Sequence, residues 1–132
     1  MKLIQDPEVI RKKLFFHKAQ TFLILDAPDE FLPVLAGIEY DDTICAEKRG
    51  TYDYIQVFAT KKKDLVHLLE DVVGMGKRDC LFWASYPKLT SPLAGNLNRE
   101  AVWHLLRLEG LNAVAQVAID DTWTALRGRP QK

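Results

Sequence analysis

The chain has 132 residues, 48% of them hydrophobic, with 18 basic and 18 acidic side chains. That length suits one domain, read as residues 1–132, and that apolar share supports a core without disulfides or metals. The balanced charge argues against nonspecific nucleic-acid binding, and no apolar run approaches the ~20 residues of a membrane helix.

The opening segment MKLIQDPEVIRKK has charge on both sides of a short apolar patch and no signal-peptide core. Asp6 is a natural N-cap, Pro7 suits the first helical position and Glu8 favours the positive helix end, so a helix is expected to about Leu14. Residues 21–25, Thr-Phe-Leu-Ile-Leu, form an unbroken apolar run that predicts a central strand covered on both faces. Asp26 ends it. Ala27, Pro28, Asp29 and Glu30 then open a helix with an acidic first turn, which Pro33 and Gly37 keep short. A weak strand is expected at 43–46. Residues 52–59 are rich in aromatic and β-branched side chains and read as a strand.

The segment 62–73 predicts the clearest helix. Leu65, Leu68, Leu69, Val72 and Val73 make one apolar stripe, and Gly74 and Gly76 end it. A further strand is expected at 80–85, stopped by Pro87, with a polar loop running to Asn98. Asn98 caps the next helix, with Leu97 and Val102 placed as a hydrophobic staple, and Gly110 ends it. Two last strands, 113–119 and 123–127, flank the turn Asp120-Asp-Thr122 and predict an antiparallel hairpin. Strand–helix–strand alternation implies right-handed βαβ units. The expected fold class is α/β: an open, mostly parallel Rossmann-like sheet with a C-terminal antiparallel hairpin and helices on both faces. That layout is the class I methyltransferase variant of the fold.

Three blocks carry a family resemblance: Leu81-Phe-Trp-Ala-Ser-Tyr-Pro-Lys88, Asn96-Leu-Asn-Arg99, and Gln116-Val-Ala-Ile-Asp-Asp-Thr-Trp-Thr-Ala-Leu-Arg127. Leu25-Asp-Ala-Pro28 with Phe31, and Tyr52-Asp-Tyr-Ile-Gln-Val-Phe58, fit as well. Together they resemble a family of small bacterial proteins of unknown function that look like shortened methyltransferase-type domains. The resemblance implies that fold over most of residues 14–130 and carries no activity to transfer. The chain departs from the family pattern after Lys88. There 89–95 reads Leu-Thr-Ser-Pro-Leu-Ala-Gly where the family is richer in lysine and serine.

The first strand–helix turn is where a Rossmann domain holds its cofactor, using glycines for close approach and a helix N-terminus for negative charge. Here the turn has no glycine, Pro28 removes a donor, and Asp29 and Glu30 oppose an anion. The expected role of those acids is capping. Methyltransferases also use an acid ending the second strand to bind ribose; Glu47 is the candidate, against a solvated loop over 46–50. No cofactor is therefore assigned.

The positive signal lies on other loops at the same sheet edge. Thr60, Lys61 and Lys62 follow one strand; Ser85, Tyr86, Lys88, Thr90 and Ser91 follow another. Lys61, Ser85, Tyr86, Lys88 and Ser91 are the candidate ligand-binding residues, suited to a small anionic metabolite, with an ordinary polar loop as the alternative. No catalytic residue is assigned. Ser85 lacks a nucleophile elbow, and His17, His67 and His104 form no motif with it. No metal is expected, since Cys45 and Cys80 stand apart from each other and from any CxxC pair. Asp120 and Asp121 suit turn chemistry. Trp83, Trp103 and Trp123 are expected in core or semi-core packing, with Trp123 alternatively at an interface. Arg127, Arg129 and Lys132 make a basic tail too small for nucleic acid.

The sequence thus supports a non-catalytic interaction or small-ligand-binding domain derived from a methyltransferase-like fold. The alternative is a SAM-dependent methyltransferase with an atypical cofactor site. A homodimer through an exposed sheet edge is a candidate assembly, and the cytoplasm is the expected location, given the unpaired cysteines.

Overall fold

The structure, a computed structural model, describes residues 6–130. Its centre is one five-stranded sheet in the order β1-β2-β3-β5-β4. The strands are β1 (Phe22–Leu25), β2 (Tyr52–Phe58), β3 (Gly76–Pro87), β4 (Leu111–Ala118) and β5 (Trp123–Pro130). β1, β2 and β3 run parallel; β5 is antiparallel to both β3 and β4. The closing hairpin therefore forms as expected, with its second strand inserted between β3 and β4 rather than added outside.

Strand periodicity divides the apolar residues between the two faces. Leu23, Leu25, Ile55 and Val57 face one side, where they meet α3 (Lys62–Val72) and α4 (Arg99–Leu108). Leu65, Leu69 and Val72 of α3 are buried there, each contributing about 1.5–3 kcal/mol by removal from water. Phe22, Ile24, Tyr54 and Phe58 face the other side, against α1 (Pro7–Lys13) and the four-residue α2 (Leu32–Leu35). Helices thus cover both faces.

Several helix ends follow the sequence closely. The Asp6 side chain accepts from the Glu8 and Val9 amides at 2.9 and 3.2 Å. Asn98 Oδ1 accepts from the Ala101 amide at 2.8 Å, and Leu97 and Val102 are both fully buried. Gly74 ends α3 with φ +77, the left-handed conformation that glycine adopts at no steric cost. Other boundaries differ. The strand expected at 43–46 does not form. A single parallel bridge joins Leu23 to Asp41, and Ala46–Lys48 is a 3-10 turn. Thr43, Ile44 and Ala46 stay exposed there and Cys45 is only half-buried, so the segment packs little against the sheet. β3 starts four residues before its apolar run. Between Tyr52 and Tyr54 of β2, β3 advances from Gly76 to Leu81, so 77–80 bulge out of the ladder.

Two tertiary features hold the centre. Trp83 is fully buried in β3, and its Nε1 donates to the Leu14 carbonyl at 3.1 Å. That bond pins the turn after α1, where Phe15 sits at φ +66. A bulky side chain in the left-handed region costs on the order of 1–2 kcal/mol, which the stacking of Phe15 on Trp83 at 6.5 Å helps to offset. A buried polar chain also crosses β2 and β3. Tyr54 Oη donates to Gln56 Oε1 at 2.7 Å, and Gln56 Nε2 donates to Ser85 Oγ at 2.9 Å.

Asp120 fastens the β4–β5 turn. Its Oδ1 accepts from the Thr122 and Trp123 amides at 2.8 and 2.7 Å, while Oδ2 is buried with no hydrogen-bond partner among the described residues. Desolvation dominates and holds the carboxyl above the ordinary aspartate range, with the nearby Glu30 acting in the same direction.

Two predictions arise from this core. Ser85→Ala leaves the Gln56 amide donor buried without its acceptor, so denaturant unfolding is expected to show a loss of about 1–3 kcal/mol. Asp120 binds a proton more tightly when folded than when unfolded. Wild type should therefore gain stability relative to Asp120→Asn as pH falls through the raised folded value towards the ordinary aspartate range. A pH-independent difference between the two proteins would remove the buried ionisation as its cause.

Candidate functional site

The carboxyl ends of β1 and β2 and the start of β5 meet at one edge of the sheet. Open α/β sheets bind ligands at this edge. The first turn there is built on Asp26, which takes φ +62 directly after β1. Aspartate tolerates the left-handed region better than most side chains do, because its short carboxylate can bond locally. The turn thus has one residue in the left-handed region that glycine favours, and that residue carries a carboxylate.

The chain does not go on from this turn into a long helix. Pro28 is extended, and Asp29–Phe31 form a 3-10 turn with no side-chain cap, followed by α2. The expected capping role of Asp29 and Glu30 is therefore corrected. Glu30 Oε1 instead accepts from Trp123 Nε1 at 2.9 Å, tying the first turn to the hairpin across the sheet edge. Trp123 is buried, packed edge-on against Phe58 at 5.4 Å, and Phe58 packs on Phe31 at 4.9 Å. Trp123 is thus a core residue rather than an interface one. Trp103, expected in core or semi-core packing, is exposed on α4 with Arg107 over its ring at 5.3 Å.

A cleft of about 500 Å³ opens beside this aromatic wall. Its polar lining is Asp26, Thr60, Asp64, His67 and Asp71, and Phe58 and Trp123 supply apolar surface. Asp64, His67 and Asp71 fall at i, i+3 and i+7 of α3, one helical face. The sequence reading used the opposite, apolar stripe of this helix and passed over its acidic one. The same periodicity contained the signal. Only the sheet order shows that this face borders the Asp26 turn.

The five residues singled out from sequence are not alike in position. Lys61 is exposed and Lys88 half-buried. Ser85 lies in the core, its hydroxyl held by Gln56. Tyr86 is buried and its Oη accepts from Gln116 Nε2 at 3.0 Å. Ser91 is buried and its Oγ accepts from the Leu93 amide at 3.0 Å. The loops after β2 and β3 do approach each other. The Lys62 amide donates to Asn96 Oδ1 at 2.8 Å, and a Cβ on Gly95 would stand 3.2 Å from the Thr60 carbonyl.

The acid at the outer edge of β1 is Asp41, not Glu47, which lies exposed in the Ala46–Lys48 turn. Asp41 is occupied: Lys48 donates to it at 2.7 Å and the Tyr52 hydroxyl donates to the same oxygen. Those bonds hold its carboxyl below the ordinary aspartate range. Among the described residues no group of three or more His, Cys, Asp or Glu side chains is arranged to hold a metal ion, and no helix is long and apolar enough to cross a membrane.

No family model matches the sequence, and no curated protein matches it. The architecture has many counterparts among solved structures. A PigF structure with SAH aligns with TM-score 0.64 at 12% identity, over 92% of this chain and 61% of that one. The mitomycin 7-O-methyltransferase MmcR aligns with TM-score 0.66 at 9% identity, over 95% of this chain and 54% of that one. A SAM-dependent methyltransferase from Aquifex aeolicus aligns with TM-score 0.57 at 13% identity, over 94% of this chain and 98% of that one. The chain thus spans little more than half the length of the first two. At such identities the likeness speaks for the fold alone: this chain has the class I, Rossmann-like fold of SAM-dependent methyltransferases.

Proposed function

We propose that the carboxyl-edge cleft binds a ligand of the S-adenosyl type, and that the chain is a SAM-dependent methyltransferase with an atypical cofactor turn. The observation that carries this reading is the left-handed Asp26 turn opening onto a cleft with three carboxylates, Asp26, Asp64 and Asp71. Phosphate is disfavoured by such a lining. A sulfonium and an ammonium group are favoured by it, since carboxylates near a partly desolvated cation offset its charge. The cleft volume lies within the roughly 300–1,000 Å³ of small-ligand sites. Phe58 and Trp123 offer apolar surface for a ring, and the Asp26 backbone supplies one left-handed bend. When bound, SAM supplies an electrophilic methyl group. The chain's own residues bind and orient: Asp26 and the acidic face of α3 hold positive charge, and the Glu30–Trp123 bond fixes the wall of the cleft.

A second reading is a non-catalytic interaction domain, favoured by a different observation. β4 is the outer strand of the sheet, and Leu111–Ala118 carries no charged residue. Val114 of β4, with Trp103 and Leu108 of α4, exposes apolar surface on that side. An uncharged edge strand is a template for pairing, which would join two copies through β4. The anion-binding reading narrows to Lys61 and Lys88, because the hydroxyls of Ser85, Tyr86 and Ser91 already have protein partners.

Calorimetry of the full chain with SAM is expected to show saturable binding, weakened about tenfold by Asp26→Ala or Asp64→Ala, equivalent to ~1.4 kcal/mol each. SAH, which lacks the sulfonium charge, should bind more weakly than SAM. Absence of binding by both would favour the interaction domain. That reading has its own test: light scattering should show a dimer that Val114→Lys converts to monomer, and a monomeric wild type would leave the β4 edge unused.

A further inference from the structure

The opposite, amino-terminal edge of the parallel strands holds a second concave surface of about 780 Å³. Four cations line it: Lys18, Arg78, Arg127 and Arg129. They come from separate parts of the chain. Lys18 follows α1, Arg78 sits on the bulge of β3, and Arg127 and Arg129 project from one face of β5. None of the four forms an ion pair among the described residues. Two carboxylates share the lining, Asp53 and Asp79. Asp53 is already committed, to Lys77 at 2.9 Å and to the Gln20 and Thr21 amides at 3.0 and 3.4 Å. Positive charge therefore stays in excess.

The cations are also positioned. Lys18 Nζ and Arg127 Cζ each lie 5.1 Å from the centre of the Phe15 ring. Phe15 is the residue held at φ +66, and strained backbone of this kind persists where surrounding structure enforces it. An aromatic face holds a guanidinium without neutralising it, leaving its donors free for another acceptor. Arg127 Nε is buried and has no hydrogen-bond partner among the described residues. Burial, and after it the neighbouring Arg129, disfavour the charged form of Arg127, so an anion placed there would relieve an existing repulsion. The bulge at 77–80 has a use in the same place, because it carries Arg78 out of the ladder and to the mouth of the basin.

We infer that this basin is a binding site for a small phosphate-bearing molecule of nucleotide size, separate from the cleft at the carboxyl edge. Guanidinium groups match phosphoryl oxygens with paired hydrogen bonds, which a surface of isolated lysines does not provide. The zero net charge of the chain and the local, concave form of the positive patch favour a free phosphate compound over a nucleic-acid backbone.

The probe is inorganic pyrophosphate, titrated calorimetrically into the full chain at constant ionic strength. Saturable binding with a Kd below ~1 mM is expected. The double variant Arg78→Glu/Arg129→Glu, both at exposed positions, should weaken it at least about tenfold while the thermal midpoint stays within ~2 °C. Lys62→Glu/Lys63→Glu, exposed at the start of α3 on the other edge, should leave it unchanged. The inference is overturned if pyrophosphate fails to bind, if the arginine variant binds as wild type does, or if the lysine variant loses affinity equally. Sulfate competing as well as pyrophosphate would also overturn it, as would a single-stranded RNA that outcompetes pyrophosphate for the same arginines. None of these outcomes bears on SAM binding, which uses neither Arg78 nor Arg129.

Discussion

The hydrogen bond from Trp83 to the Leu14 carbonyl is the contact on which much of this molecule turns. Trp83 is at the middle of the sheet, and Leu14 closes the first helix. Their bond fixes where α1 ends and forces the chain to reverse at Phe15. That reversal brings Lys18 and the Phe15 ring alongside Arg127 of the last strand. An indole buried without a partner for its N–H would be costly, so the carbonyl is required as much as it is oriented. One interaction thus ties the end of α1 to the middle strand of the sheet and sets the geometry of the amino-terminal edge.

The linings of the two clefts differ in charge although the chain as a whole is neutral. At the carboxyl edge carboxylates of the first turn and of α3 gather; at the amino edge arginines of β3 and β5 gather. Alternation along β5 helps to produce this. Trp123, Ala125, Arg127 and Arg129 share a face, apolar at the buried end and cationic at the open end. A net charge near zero therefore conceals a division of charge between two concave surfaces.

Local signals determined most of what could be read in the sequence. The Asp6 and Asn98 caps, the stripe of α3, the glycine at its end and the final hairpin all depend on residues within one or two turns of each other. The layout of alternating elements was enough for the sheet and its fold. What escaped was decided at long range. Ser85 reads as a loop hydroxyl beside Lys88, yet β3 continues through it and Gln56 on the neighbouring strand claims it. Glu30 reads as a helix-capping acid, yet Trp123, distant in sequence, captures it. The expected strand at 43–46 had some β propensity, but its residues stay mostly exposed, and a single bridge at Asp41 is what remains. The basic basin was visible only as a few arginines near the end of the chain, because its other members arrive from the turn after α1 and from a bulge that has no local signature.

The backbone at Asp26 has a consequence for how such domains are recognised. A signature written as residue letters looks for glycine in this turn and finds none. Written as a torsion angle, one left-handed bend is present, at Asp26, before the chain enters a 3-10 turn instead of a long helix. What separates this turn from a glycine-bearing one is thus both a side-chain charge and the path of the main chain after Pro28. A comparison by residue letters and one by backbone angles therefore weigh this sheet edge differently.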